Sequence, residues 1–551
     1  MVRSVPLIIS ILGLQSVLGH TFERRQQKDA VVTPGTQGIR PLVWGDVNFI
    51  HTTDTHGWLE VSGYINPSDL YDVTSPKGLV SQPLLTQIPY DLLTIGNHEL
   101  YVNEITADTV KRFIPHWKDR YVASNVYFKD VHTNKTTPIG EKYTYFEGKY
   151  GTRVLAYGFL YNFKGNGNNS VVQSVANEIQ QSWFNQSLTQ HHPDLITVIG
   201  HVGIRFTEVH TVIKAIRAHY PTIPIAVLGG HTHIRDAVKY DDYAAGIESG
   251  RYLETIGFFS LEGVSNKHQE KNGTVTFHRR YLDQNRPTFI YHAADNVEKK
   301  FDTSKGKKIS KKIQQLRDQY KLSTSLGCAP QDYQMYSAPL NSSSSIFRLA
   351  MQEVVPKTVV DKDRKNPPYY LINSGSIRYE IYKGPFTLDN MYQISPFEDR
   401  FYTIHDVPLS AASQLLAKLN GQSEVFKKRS LYYIEQPIHL SEQVSFAKRA
   451  QNLTRGYVTK DDFGTDGDDT AHEPYPSYDI PYYIASDLPK GESNSLVDLV
   501  YFDFFDALLR KSLATITGKE WTALKSYGDP SITSSTMWLS YAQKYWNSTS
   551  C

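Results

Sequence analysis

Short apolar runs recur through the first half of the chain, each bounded by polar turn residues: VNFIHT (47–52), DLLTI (91–95), RVLAYGFL (153–160), DLITVIG (194–200) and PIAVLGG (224–230). Runs of this length, closed by Gly, Asp or Pro, predict buried strands. Between them, residues 170–190 and 208–219 carry helical spacing. The alternation of strand and helix from Asp46 to about Phe259 predicts an α/β domain. Residues 294–322 are highly charged but keep Ile309, Ile313 and Leu316 at helical intervals, which predicts an amphipathic connecting helix. Beyond it, the strand-like YYLINSG (369–375) and the helical LSAASQLLAKLNG (409–421) predict a second α/β region. The expected organisation is a first domain over 43–293, a linker helix over 294–322 and a second domain over 323–551.

A chain of 551 residues exceeds one ordinary core, in keeping with two domains. Lys and Arg (58) nearly balance Asp and Glu (56), so the totals hold no basic excess that would suit nucleic acid, and a small-molecule partner is expected. The N-terminus adds an address. Arg3 is followed by an apolar run from Val5 to Leu18, too short to span a bilayer, with a small-residue site at Val17-Leu18-Gly19; this predicts an export signal over 1–19. Later apolar stretches fall short of spanning length, so no stable membrane insertion is expected, and the secretory pathway leads to a vacuole lumen or the cell exterior. Seven sequons, at Asn134, Asn168, Asn185, Asn272, Asn341, Asn452 and Asn547, fit a glycosylated surface by their number. In such a compartment the two cysteines, Cys328 and Cys551, either pair or remain as thiols; sequence alone leaves both open.

Candidate chemistry stands just after the predicted strands, where α/β sheets place their sites. Asp54 and His56 follow VNFIHT, Asn97 and His98 follow DLLTI, His201 follows DLITVIG, and His231 and His233 follow PIAVLGG. Carboxylate, imidazole and amide oxygen are the donors a hard or borderline dication takes. If the chain stays extended past each strand, residues two apart share a face, so Asp54 with His56 and His231 with His233 would point together. A lone histidine is more often a hydrogen-bonded structural residue, the reading given to His20, His51, His116, His132, His191, His192 and His210. The ordered set D-x-H, G-N-H-E and G-G-H-T-H is not explained that way.

On those three motifs the chain resembles the calcineurin-like metallophosphoesterases, specifically their 5′-nucleotidase branch, over about residues 43–260. The resemblance implies a β-sandwich flanked by helices, followed by a 5′-nucleotidase-like C-terminal α/β domain. It implies two divalent metal ions, of identity open among Zn, Mn, Mg, Fe and Ca: Asp54, His56 and His233 on one, Asn97, His201 and His231 on the other. His98 would be the catalytic histidine. The implied activity is hydrolysis of a small phosphate ester or nucleotide by a metal-bridged hydroxide. In the second half, NSGSIR (373–378) and the PF of GPFTLDNMYQISPFEDRF (384–401) are similar to the C-terminal domain of that branch, so Asn373 and Arg378 are expected at the substrate.

Two departures accompany the resemblance. The family's bridging carboxylate ends a strand between D-x-H and G-N-H-E and usually reads Gly-Asp, yet residues 57–90 contain no such strand, only Glu60, Asp69 and Asp72. Either Asp69 is the bridge, or the chain has lost a strand and is a catalytically impaired or non-catalytic glycoprotein, or the sequence omits a coding segment. The second departure is at FGTDGDDTAH (463–472), where Asp468 takes the place of a base-stacking aromatic ring; Phe463, Tyr457, Tyr432 and Tyr433 are the alternatives.

Overall fold

The protein is described by a computed structural model covering residues 38–56, 72–271, 273–429, 461–472, 478–524, 526–547 and 551, with backbone alone given for 422–429. The expected export signal, Glu60, Asp69, Tyr432, Tyr433, Tyr457, Asn272 and Asn452 lie outside the described residues. The chain divides into two compact units, residues 1–316 with 453–474, and residues 317–452 with 475–551.

Unit 1 is built on β1 (Val47–His51), β2 (Tyr143–Glu147), β3 (Arg153–Leu160), β4 (Leu195–His201), β5 (Ile225–Gly229), β6 (Arg235–Asp241), β7 (Ala244–Ser249), β8 (Thr255–Glu262) and β9 (Thr276–Asp283). One sheet has the order β2-β3-β4-β5-β7-β6, parallel from β3 to β7 with an antiparallel strand at each edge; the other is the antiparallel β1-β8-β9. Strand alternation explains why both faces are apolar. Val154, Ala156, Ile199, Leu228 and Ile247 point toward Phe259, Leu261, Phe277 and Tyr281 of the second sheet. Their neighbours Leu155, Tyr157, Phe159, Val198 and Val227 pack on the other side, against α1 (Ser182–Gln190) and α2 (Thr207–His219). The result is a β-sandwich flanked by helices, as expected; each fully buried Val, Leu or Phe contributes about 1.5–3 kcal/mol relative to exposure.

One expected strand is absent. Within DLLTI, only Leu93 pairs, in a single parallel bridge to Tyr121, with hydrogen bonds of 2.8 Å to Arg120 and Val122. Ile95 is nonetheless buried. An apolar run signals burial, not a ladder partner, which is the physical reason the expectation failed. Among the described residues β1 pairs only with β8. The connecting helix α3 (Ser304–Gln319) does form, and buries Ile309, Ile313 and Leu316.

Unit 2 holds a sheet of β10 (Pro368–Asn373), β11 (Phe401–Pro408), β12 (Tyr483–Ala485) and β13 (Leu496–Phe502) in the order β11-β13-β10-β12. Helices α4 (Leu409–Arg429) and α5 (Asp506–Thr517) contribute Leu415, Leu419, Leu509 and Leu513 to its core. The two cysteines are joined as a disulfide, Cys328 to Cys551, with Cα atoms 5.6 Å apart.

Candidate metal centre

The ligand-bearing loops leave the strands in a conformation that sequence spacing did not anticipate. β1 ends at His51, and Asp54 and His56 follow with φ of 51° and 47°; β5 ends at Gly229, and His231 and His233 follow with φ of 78° and 62°. These four side chains do not converge because an extended chain alternates. They converge because each second residue turns through the left-handed region, a conformation costing non-glycine residues about 1–3 kcal/mol and held only where the surroundings fix it. Gly230 is part of that fixing. A Cβ there would stand 2.0 Å from Thr53 Oγ1 and 2.6 Å from Asp54 Oδ2, so only glycine lets the two loops meet.

Asp54 lies at the centre with its side chain wholly buried, ringed by imidazoles that remain 12–14% exposed. Its Oδ2 accepts hydrogen bonds from Thr53 Oγ1 at 2.6 Å and the His231 N–H at 2.8 Å. Its Oδ1 is buried with no hydrogen bond, yet lies 3.2 Å from His233 Nε2, 3.6 Å from His201 Nδ1 and 4.0 Å from His56 Nε2. Burial alone would raise Asp54, but His201, His233 and His56 outweigh it and hold the carboxyl well below the usual range.

Two ring pairs complete the arrangement. His56 Nε2 and His233 Nε2 are 3.2 Å apart, as are His231 Nδ1 and His201 Nε2. Two ligand atoms on one cation, each bonded at about 2.1 Å with tetrahedral or octahedral angles, stand about 3.0–3.4 Å apart. Both pairs match, and the first includes Asp54: Asp54, His56 and His233 offer atoms within 4.8 Å of one another, the one such group of His, Cys, Asp or Glu among the described residues. An orphaned carboxylate oxygen facing imidazole nitrogens fits a cation. The His231 ring stacks on Tyr161 with centroids 4.2 Å apart, which fixes its plane.

Asn97 is fully buried and donates from Nδ2 to Tyr101 Oη at 3.0 Å. His98 opens the following 3-10 turn, and its ring meets the His56 ring edge to face at 4.7 Å. His51, left as structural, is that: it is hydrogen-bonded to Ser249 Oγ at 2.7 Å, and burial lowers it to about 4, so it stays neutral.

Comparisons with known proteins give the family. Residues 332–509 match the NAD nucleotidase C-terminal domain family. A secreted protein of Arthroderma benhamiae is 34% identical over 95% of this chain and 93% of its own length, and a Schizosaccharomyces pombe protein is 33% identical over 97% and 98%. The crystal structure of a 5′-nucleotidase from Candida albicans superposes with a TM-score of 0.81 at 33% identity, covering 92% of this chain and all of that one. The chain belongs to the 5′-nucleotidase branch of the calcineurin-like metallophosphoesterases. The fungal alignments run over 627 and 608 positions, longer than the 551 residues here, so those relatives carry segments that this chain lacks.

The residues expected at the substrate lie in unit 2 of this nucleotidase-branch protein. Asn373 ends β10 and Arg378 lies just beyond the short turn Ser374–Ser376 that follows it, both 5% exposed. The Arg378 guanidinium lies over the Phe397 ring at 5.0 Å, and its backbone N–H bonds to the Ile394 carbonyl at 2.7 Å.

Asp468 and Phe463 lie in a segment of unit 1. Residues 461–472, although late in sequence, belong to unit 1 and run beside β9, where the Tyr281 N–H donates to the Gly467 carbonyl at 3.0 Å and the Tyr281 carbonyl accepts from the Asp469 N–H at 2.9 Å. Arg235, 2% exposed, reaches Asp468 and Asp283 at 2.7 Å each; Arg279 holds Asp461 at 2.6 Å, and Arg205 bridges Asp236 and Asp462. His292 and His472 face Asp469 and Asp283 at 3.1 and 2.9 Å. Phe463 lies under the Lys239 and Arg279 cations. Asp468, 1% exposed, is an ion-pair partner of Arg235.

Around Arg235 the carboxylates outnumber the guanidinium, and this shows in Asp468: burial pushes it up to about 7 although Arg235 and His472 pull it down. Asp461 and Asp469 are raised by burial as well, whereas Arg235 and His472 hold Asp283 below its usual value against burial. Across the window from about pH 4 to 7 the folded chain keeps a proton on Asp468 that the unfolded chain releases, so stability falls as pH rises. The expected result is a higher urea midpoint at pH 5 than at pH 7.5, with the difference reduced in Asp468→Asn. An equal difference in both proteins would assign the pH dependence elsewhere.

Proposed function

We propose that this chain is an exported, metal-dependent phosphomonoesterase acting on nucleotides or similar small phosphate esters. The observation that carries the reading is the buried, unbonded Asp54 Oδ1 set among two imidazole pairs at ligand spacing. Asp54, His56 and His233 would hold one divalent cation, and Asn97, His201 and His231 the second. When bound, such ions offset phosphate charge and acidify water, the chemistry that phosphate ester hydrolysis needs.

The remaining work belongs to the chain. Thr53 and the His231 N–H fix the Asp54 carboxylate, and Tyr161 fixes the His231 ring. His98, beside His56, donates a hydrogen bond to the transferring phosphoryl group and a proton to the leaving oxygen. Arg378 would offer planar charged donors to the substrate, and Asn373 a side-chain amide. Nucleotides are favoured because the Candida relative is a 5′-nucleotidase. Export is supported by the disulfide, by the exposed sequon residues Asn134, Asn168, Asn185, Asn341 and Asn547, and by the secreted relative. No helix among the described residues is long and apolar enough to cross a membrane.

Phosphate release from nucleoside 5′-monophosphates tests the reading. Turnover with Mn²⁺ or Zn²⁺ is expected, lost on chelation and restored by metal. Absence of turnover across several divalent metals and a substrate panel would instead favour the non-catalytic glycoprotein, a reading motivated by the missing Gly-Asp strand. Metal content then decides between them, two ions per chain against none.

A further inference from the structure

β7 carries a carboxylate whose position the chemistry above does not use. Glu248, 2% exposed, lies in the otherwise small and apolar run Ala244–Ser249 and stands opposite Gly229 in the parallel ladder with β5. Glu248 reaches across β5 to the loop after β4, where its Oε1 accepts the Ile204 N–H at 2.7 Å. A Cβ on Gly229 would stand 2.5 Å from Ile204 Cγ2 and 2.8 Å from the Val202 carbonyl oxygen, so the glycine lets the loop after β4 pack close to β5. The second oxygen, Oε2, accepts from Thr232 Oγ1, and Thr232 lies between His231 and His233.

One buried carboxylate thus joins two loops that leave different strands. The first begins at His201 and the second carries His231 and His233. Tyr240 adds a 2.5 Å hydrogen bond to the Ile204 carbonyl, so the backbone at Ile204 is held on both sides, while the Thr232 end has Glu248 as its side-chain partner. The His201–His231 separation of 3.2 Å spans the same two loops. A tie between them sets that separation, and metal affinity depends on it because ligand loops that drift must be reordered when an ion binds.

We propose that Glu248 is a positioning residue, clamping the His201 loop to the His231-Thr232-His233 loop so that the two imidazole sets stay at ligand spacing. The inference rests on the metal-centre reading. Mn²⁺ binding by calorimetry on the full chain, with urea midpoints measured alongside, tests it. Glu248→Ala should weaken Mn²⁺ affinity about 10–100-fold in folded protein. Glu248→Gln keeps an acceptor for Ile204 and a polar partner for Thr232, so it should restore affinity to within a few-fold. Thr232→Val, which removes one arm, should fall between them and serves if Glu248→Ala does not fold. Ser187→Ala, a buried change under Tyr157, should lower the urea midpoint and leave Mn²⁺ affinity unchanged. Wild-type affinity in Glu248→Ala or Thr232→Val overturns the clamp while the metal centre stands. A wild-type chain that binds no Mn²⁺ overturns the metal centre, and the clamp with it.

Discussion

Asp54→Asn is expected to bring Mn²⁺- or Zn²⁺-dependent phosphate release down by about a thousand-fold or more, the loss that follows when several kcal/mol of charge stabilisation disappear from a transition state. The substitution is nearly isosteric. Its amide oxygen can still accept from Thr53 Oγ1 and the His231 N–H, so the loop conformation has the same hydrogen-bond support. What changes is Oδ1, the atom 3.2, 3.6 and 4.0 Å from three imidazole nitrogens, which becomes an amide NH₂ if the other contacts are kept. An NH₂ group cannot ligate a cation. Metal content should therefore fall together with activity while the urea midpoint of metal-free protein stays near wild type. Full activity in Asp54→Asn would place the chemistry elsewhere in the molecule.

Much of this centre was legible in the sequence because its donors follow strands, and strands announce themselves by apolar runs. β1, β3, β4 and β5 formed where the pattern put them, and Asp54, His56, His201, His231 and His233 came together. The geometry by which they meet was not legible. Period-two spacing suggested extended chain, whereas the observed φ values at Asp54, His56, His231 and His233 are positive, and that preference is set by contacts such as Thr53 against Gly230. Backbone strain of this kind arises from tertiary packing, which the local pattern does not contain.

Residues 461–472 show a second limit. Their motif resembled a substrate loop, and their place in sequence assigned them to the second domain, yet they pack on unit 1 through Arg235, Arg279 and Arg205, partners more than 180 positions away. Spacing rules see neighbours in sequence; an ion pair across such a distance leaves no periodic trace. Glu248 was missed as well, although a carboxylate within the run AAGIES, costly once buried unless both oxygens are satisfied, was the signal available.

His98→Ala should separate chemistry from metal binding. The expected result is a fall in kcat of about 10²–10⁴-fold, the range that a positioned acid or base supplies, with Mn²⁺ content unchanged. The two readouts diverge because His98 contributes no atom to the His56–His233 or His201–His231 pairs. Its ring meets His56 edge to face at 4.7 Å, and its removal opens space beside the proposed cation ligands without taking one away. Substrates with a good leaving group need less proton donation, so the loss should be smaller for a nitrophenyl phosphate than for a nucleoside 5′-monophosphate. A loss of equal size for both would assign His98 to holding the phosphoryl group alone. Loss of metal together with activity would make it a ligand-positioning residue, and wild-type kcat would remove it from the mechanism.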